Sequence, residues 1–439
     1  MNIILRIGIF LCCISLTQIN TATAIASASK PWHNNRFEWG GQIKFAGAIS
    51  WPEDESFLQA DGRNDFYDGS AEFRLKNKLF LAPWGYFETH YEAIASGGDT
   101  RQQAEAFQRR FPGLCNDAIA LKNSLNDNRR LLDLTKTIHE NDELILYHRL
   151  DRFALTLQPA WGTVRIGRQA LTWGNGLLFN PMDLFNPFSP TDIVRDYKIG
   201  DDMATIQFPL NSWGDFQLLC VPRRNPANNH LEYEQSSVAG KLHLAAGTTE
   251  FDFMASRHYK DTVFGLGSIG YFKDAAWRLD TTYTFLNDPK KRDGFFCLTA
   301  NIDTSWVWQK KNYYGLLEFY YNGLGGKTYS ETITDPDIAE RLARGEIFTL
   351  GRTFIGSTIQ IELHPLLNLY LTAINNLQDP SGIIQPRFIW DVLENVRLTC
   401  GANLYYGRVG TEFGGFILPS TGLLNQPSDN TFVWLTCFF

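Results

Sequence analysis

From Arg36 onward the chain alternates apolar and polar residues in runs of nine to fourteen, each ended by turn-forming residues. In Val396-Arg397-Leu398-Thr399-Cys400-Gly401-Ala402-Asn403-Leu404 one face is Val, Leu, Cys, Ala and Leu, and the other is Arg, Thr, Gly and Asn. Trp277 to Phe285 and Ala71 to Leu79 repeat the pattern. Successive side chains of a strand point to opposite faces, so each run is a strand with one apolar and one polar side. Strands of a soluble sandwich are commonly about five or six residues long. Longer runs whose apolar face ends in Trp, Tyr or Phe fit strands that cross a bilayer at a tilt, with aromatics at both interfaces. The apolar face then meets lipid and the polar face lines a lumen.

Composition narrows the alternatives. Aromatics make up 14% of the 439 residues, which favours a β-rich class. Outside the first 25 residues there is no apolar run of about 18, the length a membrane-spanning helix needs. The net charge of −7 argues against nucleic acid as a partner, because a nucleic-acid binder needs a clustered basic face.

The amino end has a basic n-region ending at Arg6, an apolar stretch Ile7 to Leu16, and small residues Thr21 to Ala28. This is the pattern of a cleaved secretory signal peptide, assigned to residues 1–28, with the mature barrel over 29–439. Cleavage after Ala24 or after Ala28 fits equally well. Cys115, Cys220, Cys297, Cys400 and Cys437 are far apart, so neither a disulfide framework nor a zinc site is expected, although a Cys400–Cys437 bridge is conceivable.

Eighteen candidate strands follow, from 36–47 to 430–439, including 162–171 and 346–363. Tight turns alternate with longer connections at 48–68, 96–143, 172–201, 223–233, 287–293, 324–345 and 407–429. The expected fold is an all-β transmembrane antiparallel up-and-down barrel with long outer loops, in the bacterial outer membrane and bounded by its lipid. Thr431 to Phe439, an amphipathic strand ending in Phe, resembles the terminal strand by which such barrels are recognised by their assembly machinery, which makes that machinery an expected partner. Within the 96–143 loop, Gln102 to Arg110 and Asn128 to Lys136 have helical composition.

Motifs that would carry chemistry fail on context. Gly265-Leu266-Gly267-Ser268-Ile269-Gly270 matches a dinucleotide fingerprint but continues into Tyr271-Phe272 with no helix start. Gly326-Lys327-Thr328 has Tyr321 where a phosphate loop needs Gly, and His139-Glu140 lacks the second His of a zinc protease. No nucleophile is identified, so no catalytic residue, cofactor or metal is assigned and an enzyme is not expected.

The most informative stretch is 162–201. It carries Pro181, Pro187 and Pro190, which forbid a regular ladder, yet also Leu177, Leu178, Phe179, Met182, Leu184, Phe185 and Phe188, too apolar for an excursion into water. A third outer loop of this kind is expected to fold into the lumen and narrow it. Its charged residues Asp183, Asp192, Arg195, Asp196 and Lys198 would then face the constriction together with wall residues Arg165 and Gln169.

The core G-R-Q-x-x-x-W-G-x-G, Gly167 to Gly176, and its continuation N-P-x-D-x-x-N-P-F, Asn180 to Phe188, resemble a stretch of poorly characterised Gram-negative outer-membrane barrels grouped with porins and alginate-export channels. The resemblance implies passive diffusion of small hydrophilic solutes, anionic or carbohydrate-like in kind. Against a strongly positive pore, the inward positions carry ten basic residues (Lys44, Arg74, Lys76, Lys78, Arg165, Lys241, Arg278, Arg352, Arg387, Arg397) and ten acidic ones (Glu38, Glu72, Glu88, Glu92, Asp252, Asp280, Asp303, Glu318, Glu362, Asp391). The competing readings are a barrel that holds a periplasmic or surface partner without conducting, and an outer-membrane hydrolase.

Overall fold

In the computed structural model the described residues are 36–52, 56, 63–110, 127–187, 189, 197–287, 292–419 and 422–439. The signal-peptide assignment at 1–28 lies outside them. Eighteen antiparallel strands form one closed barrel. In chain order they are β1 Phe37–Trp51, β2 Phe66–Ala82, β3 Gly85–Gly98, β4 Leu144–Leu157, β5 Thr163–Gln169, β6 Asp201–Pro209, β7 Gly214–Val221, β8 Ser237–Ala246 and β9 Thr249–His258. Then come β10 Asp261–Phe272, β11 Ala275–Phe285, β12 Gly294–Trp308, β13 Lys311–Asn322, β14 Thr353–His364, β15 Leu367–Asn376, β16 Ser381–Leu393, β17 Val396–Tyr406 and β18 Asp429–Phe438. Each pairs with its chain neighbours. The ring closes where β18 pairs β1, from Gln42↔Phe438 to Trp51↔Asp429. Closure leaves none of these eighteen strands at a sheet edge, the condition for placing strands in lipid. Phe439 extends that seam, exchanging backbone hydrogen bonds of 2.8 and 3.1 Å with Gly41.

The alternation is realised as expected. On β10, Val263 is buried inward while Phe264 and Leu266 stand exposed on the outer face; on β13, Leu316, Glu318, Tyr320 and Asn322 turn inward and Leu317 outward. Aromatics such as Trp39, Trp84, Trp161, Trp213, Trp306 and Trp308 ring the turn end of the barrel. The turns there are tight: Gln309 and Lys310 both take positive φ, 49° and 62°, the type I′ combination that suits strand twist.

The connections at the opposite end are numbered L1 to L9. L2 covers 99–143, L3 170–200, L7 323–352 and L9 407–428. L2 begins with helix α1, Asp99–Arg110. L7 carries α2, Tyr329–Thr332, and α3, Pro336–Arg344, which is capped by Asp335 at its start and by left-handed Gly345 at its end.

Three expectations need correction. Asn128 to Lys136 is not helical: the Asp127 carboxylate accepts from Leu134 N at 2.7 Å and Arg130 at 2.7 Å, and the chain runs on into a short strand, Thr135–Glu140, beside β4. β14 begins at Thr353 rather than 346, because Leu350 N and Gly351 N are taken by the Glu412 side chain of L9 instead of a ladder partner. Cys400 and Cys437 are free thiols: they face Val433 and Val396 across the β17–β18 ladder, not each other.

A lipid-facing charge tests the orientation of the wall. Leu317→Arg, near the middle of β13, is expected to destabilise the folded barrel by about 2–4 kcal/mol in denaturant titrations in lipid. The lumen-facing Thr358→Ala is expected to leave stability nearly unchanged. Equal effects would contradict the assigned faces.

Candidate functional site

L3 leaves β5, crosses the lumen and returns to β6. Trp173, Met182 and Phe185 pack on the near wall against Met203, Leu219, Val221, Ala239, Met254 and Val263. The tip travels much farther. Asn175 N and Gly176 N donate to Asp280 of β11, the second at 2.9 Å. Leu177 N, Leu178 N and Phe179 N donate to Glu318 of β13 at 2.8, 3.0 and 2.6 Å, and Asn301 of β12 donates to the same carboxylate at 2.9 Å. β13 stands eight strands round from β5 in a ring of eighteen, so the loop spans nearly the full width of the barrel. Beyond the clasp, Phe179 stacks on Tyr320 with centroids 4.3 Å apart and planes 4° apart, next to Phe354, Ile374, Ile383 and Phe413.

Glycines make room for this crossing. Gly265 and Gly267 of the rejected dinucleotide fingerprint lie on the lumen face of β10. A Cβ on Gly265 would come within 2.9 Å of Met254 and 3.2 Å of Met182, and one on Gly267 within 2.8 Å of the Asp280 carboxylate and 3.0 Å of Asn175. A Cβ on Gly356 of β14 would overlap the Leu178 side chain.

The return limb is anchored on β2 to β4. Tyr197 donates to Glu72 at 2.7 Å beneath the Arg74 guanidinium, Gly200 N donates to Asp151 at 2.9 Å, and Arg152 donates to Lys198 O at 2.7 Å. The extra residue at the β3–β4 register shift turns both Asp151 and Arg152 into the interior.

The residues expected at the constriction are placed as follows. Arg165 lies on the lumen side of β5 and pairs with Glu88 of β3. Gln169 is buried and donates to Met203 O at 3.0 Å and Arg165 O at 3.2 Å. Asp183 and Lys198 form a salt bridge with each other inside the loop, and Lys198 also donates to Leu171 O at 3.2 Å. Burial pushes the Asp183 carboxyl up to about 7 in spite of Lys198. Asp192, Arg195 and Asp196 lie outside the described residues.

Other outer loops close over L3. Arg168 of β5 holds Asp202 at 2.9 Å and Asp127 of L2 at 3.0 Å. In L7, Arg341 pairs with Asp261 of the wall, and Ile347 lies beside Pro181 and Leu184 of L3. Burial works against the Glu346 charge, but His258, Arg344 and Arg341 outweigh it and hold the carboxyl down at about 2. Burial raises Glu412 of L9 to about 7, against hydrogen bonds from Leu350, Gly351 and Asn376. A Ser–His–acid contact does form here, with Ser237 Oγ 3.0 Å from His258 Nδ1 and His258 Nε2 3.3 Å from Glu346. Ser237 is only 1% exposed, and its hydroxyl also accepts from Arg223 at 3.1 Å, so the trio ties L7 to the wall and presents no accessible nucleophile.

Sequence reasoning entered Asp280 and Glu318 only as two of ten inward acids. Their cross-strand neighbours carry the missing signal. Asp280 faces Gly267 and Thr299, and Glu318 faces Asn301 and Gly356, so neither has a base beside it. A lumenal carboxylate next to glycine and amide is placed to accept from something other than the wall.

A closed eighteen-stranded antiparallel barrel is the fold of the outer-membrane porins, and its apolar outer belt suits the bacterial outer membrane. Among solved structures it is similar to OccAB4 of Acinetobacter baumannii, with TM-score 0.50 and 9% identity over 93% of this chain and 100% of that one. It is similar also to a BenF-like porin of Pseudomonas fluorescens Pf-5, with TM-score 0.51 and 9% identity over 92% and 98%. OpdL of Pseudomonas aeruginosa gives TM-score 0.50 and 9% identity, again over 92% and 98%. No family model and no curated protein matches the sequence.

Glu318→Gln tests the clasp. Glutamine has one acceptor oxygen where the carboxylate has two, and turns an amide NH2 toward backbone donors. The expected cost is on the order of 3 kcal/mol, together with faster hydrogen exchange at 177–179 in an otherwise intact barrel. Unchanged exchange would show that the carboxylate does not hold the loop.

Proposed function

We propose that the chain is an outer-membrane channel through which small hydrophilic solutes diffuse passively, its bore set by L3. The observation that carries this reading is the Glu318 clasp on three consecutive backbone N–H groups, which fixes the loop across the lumen. Arg165 and the loop charges Asp183, Asp192, Arg195, Asp196 and Lys198 belong to the constriction in this reading, with Arg165 offset by Glu88 and Asp183 by Lys198. Within it, Gln169 and the Asp183–Lys198 pair act by holding the stem of the loop in place. The strand ending at Phe439 is the segment through which the assembly machinery recognises the chain; its seam with β1 supports this role.

One observation favours the second reading, a barrel that holds a partner without conducting: described parts of L2, L3, L7 and L9 pack together at the outer end of the barrel. Recording from the refolded mature chain in planar bilayers separates the two. Stable current steps are expected, and deletion of residues 177–189 should raise their amplitude. Unchanged steps from a deletion variant that still migrates as a heat-modifiable barrel would remove L3 as the determinant of bore. Silence from the folded wild-type chain would favour the partner-holding reading.

A further inference from the structure

Below L3, toward the turn end, the lumen wall on β12 to β16 is left uncovered by the loops described above. Four of the charges along it are closed into two pairs, while Glu362 accepts from Asn312 and Arg387 lies over the Tyr370 ring. Arg278 of β11 meets Asp303 of β12 at 2.7 Å, and Arg397 meets Asp391 at 2.7 Å where β17 runs beside β16. The facing wall repeats the arrangement, with Arg165 on Glu88 and Lys241 on Asp252 at 3.5 Å. Lys76 of β2 has no ion-pair partner among the described residues, and one such cation makes a weak field. Selecting anions requires cations whose charge is not already cancelled.

The surface between these pairs is built of hydroxyls and amides. Thr358 and Thr372 share a hydrogen bond of 3.0 Å, Gln360 donates to Asn368 at 3.1 Å, and Asn312 donates to Glu362 at 2.9 Å. Each amide and hydroxyl here can both donate and accept, which is the property of a sugar hydroxyl. Two tyrosines punctuate the wall. Tyr370 lies with the Arg387 guanidinium 5.0 Å from its ring, and Tyr314 borders a cleft of about 430 Å³ with Asn312, Gln360 and Glu362. That volume falls in the ordinary range for small-molecule sites, about 300–1,000 Å³.

We propose that this wall is a binding track for neutral polyhydroxylated solutes, small saccharides in particular, and not for anions. The proposal rests on the channel reading above, and names its solute class. Neutral hydroxyl-rich solutes exchange water for the Thr, Asn and Gln groups without displacing an ion pair, and their C–H faces lie on the tyrosine rings. An anion meets one guanidinium there, Arg387, with the Glu362 and Asp391 carboxylates on the same wall, a balance that does not offset its lost hydration.

The test uses the full mature barrel in detergent, titrated calorimetrically with maltotriose and with gluconate, alongside bilayer recording in a potassium chloride gradient. Maltotriose is expected to bind measurably more tightly than gluconate, and Tyr314→Ala and Tyr370→Ala each to weaken it about fivefold. Asn368→Ala is expected to weaken it without altering heat-modifiable folding. The cation-to-anion permeability ratio should lie within about twofold of one. Gluconate bound more tightly than maltotriose, no saccharide binding to a folded barrel, or strong anion selectivity would each overturn the proposal. Saccharide binding by a barrel that gives no current would support the track and overturn the channel reading on which its transport role rests.

Discussion

The carboxylate of Glu318 accepting three successive backbone N–H groups is what allows a loop to lie inside this barrel at all. Backbone polar groups withdrawn from bulk water need partners. The described residues of L3 form no ladder, and Pro181 and Pro187 could not complete one, so the partners come from the wall. Asp280 serves Asn175 and Gly176 in the same way, one stage earlier along the crossing. With those donors satisfied, the apolar side chains between them can pack. Phe179 reaches its stack on Tyr320 because the residue before it is already fixed. The glycines at 265, 267 and 356 keep the wall low enough for the chain to pass.

Charge is distributed unevenly along the axis of the barrel. Of the ten basic and ten acidic residues assigned inward from sequence, five bases meet five of those acids directly: Arg74 with Glu92, Arg165 with Glu88, Lys241 with Asp252, Arg278 with Asp303, and Arg397 with Asp391. The denser networks belong to the loop end, where Arg149 shares Glu92 and Arg168 joins Asp127 to Asp202. Buried pairs contribute little net stability, but breaking one leaves a costly lone charge. They therefore specify one loop arrangement, while the turn end stays polar, paired and open.

The barrel was legible because alternation is a local signal repeated along nearly the whole chain, and most strand ends fall within three residues of those read from sequence. The largest exception, at 346, arose because a side chain of L9 replaces the ladder, a contact over 60 residues away that no local pattern encodes. Likewise the motif Gly167 to Gly176 marked L3 as unusual, and the structure gives its residues separate tasks. Arg168 binds L2, Trp173 donates to Gln217 at 2.9 Å, Gly174 takes a φ of 89°, and Asn175 meets Asp280. The far side of each contact was not legible. Asp280 and Glu318 are single residues on ordinary strands, and only the closed ring brings them opposite β5. The inward fold of L3 was read from the mismatch between its prolines and its apolar residues; the constriction residues chosen with it include Gln169 and Asp183, which the structure uses to hold the loop to the wall and to itself.

The central claim is that L3 crosses the lumen and docks on the opposite wall, and a site-directed cross-link tests it most directly. In a chain whose native cysteines are replaced by serine, Leu178→Cys and Gly356→Cys would place two thiols at the contact between the L3 tip and β14. The account predicts that they couple under mild oxidation in the folded barrel, giving a 178–356 linked peptide by mass spectrometry after digestion. Two free thiols in a correctly folded barrel, both open to a water-soluble maleimide, would contradict it.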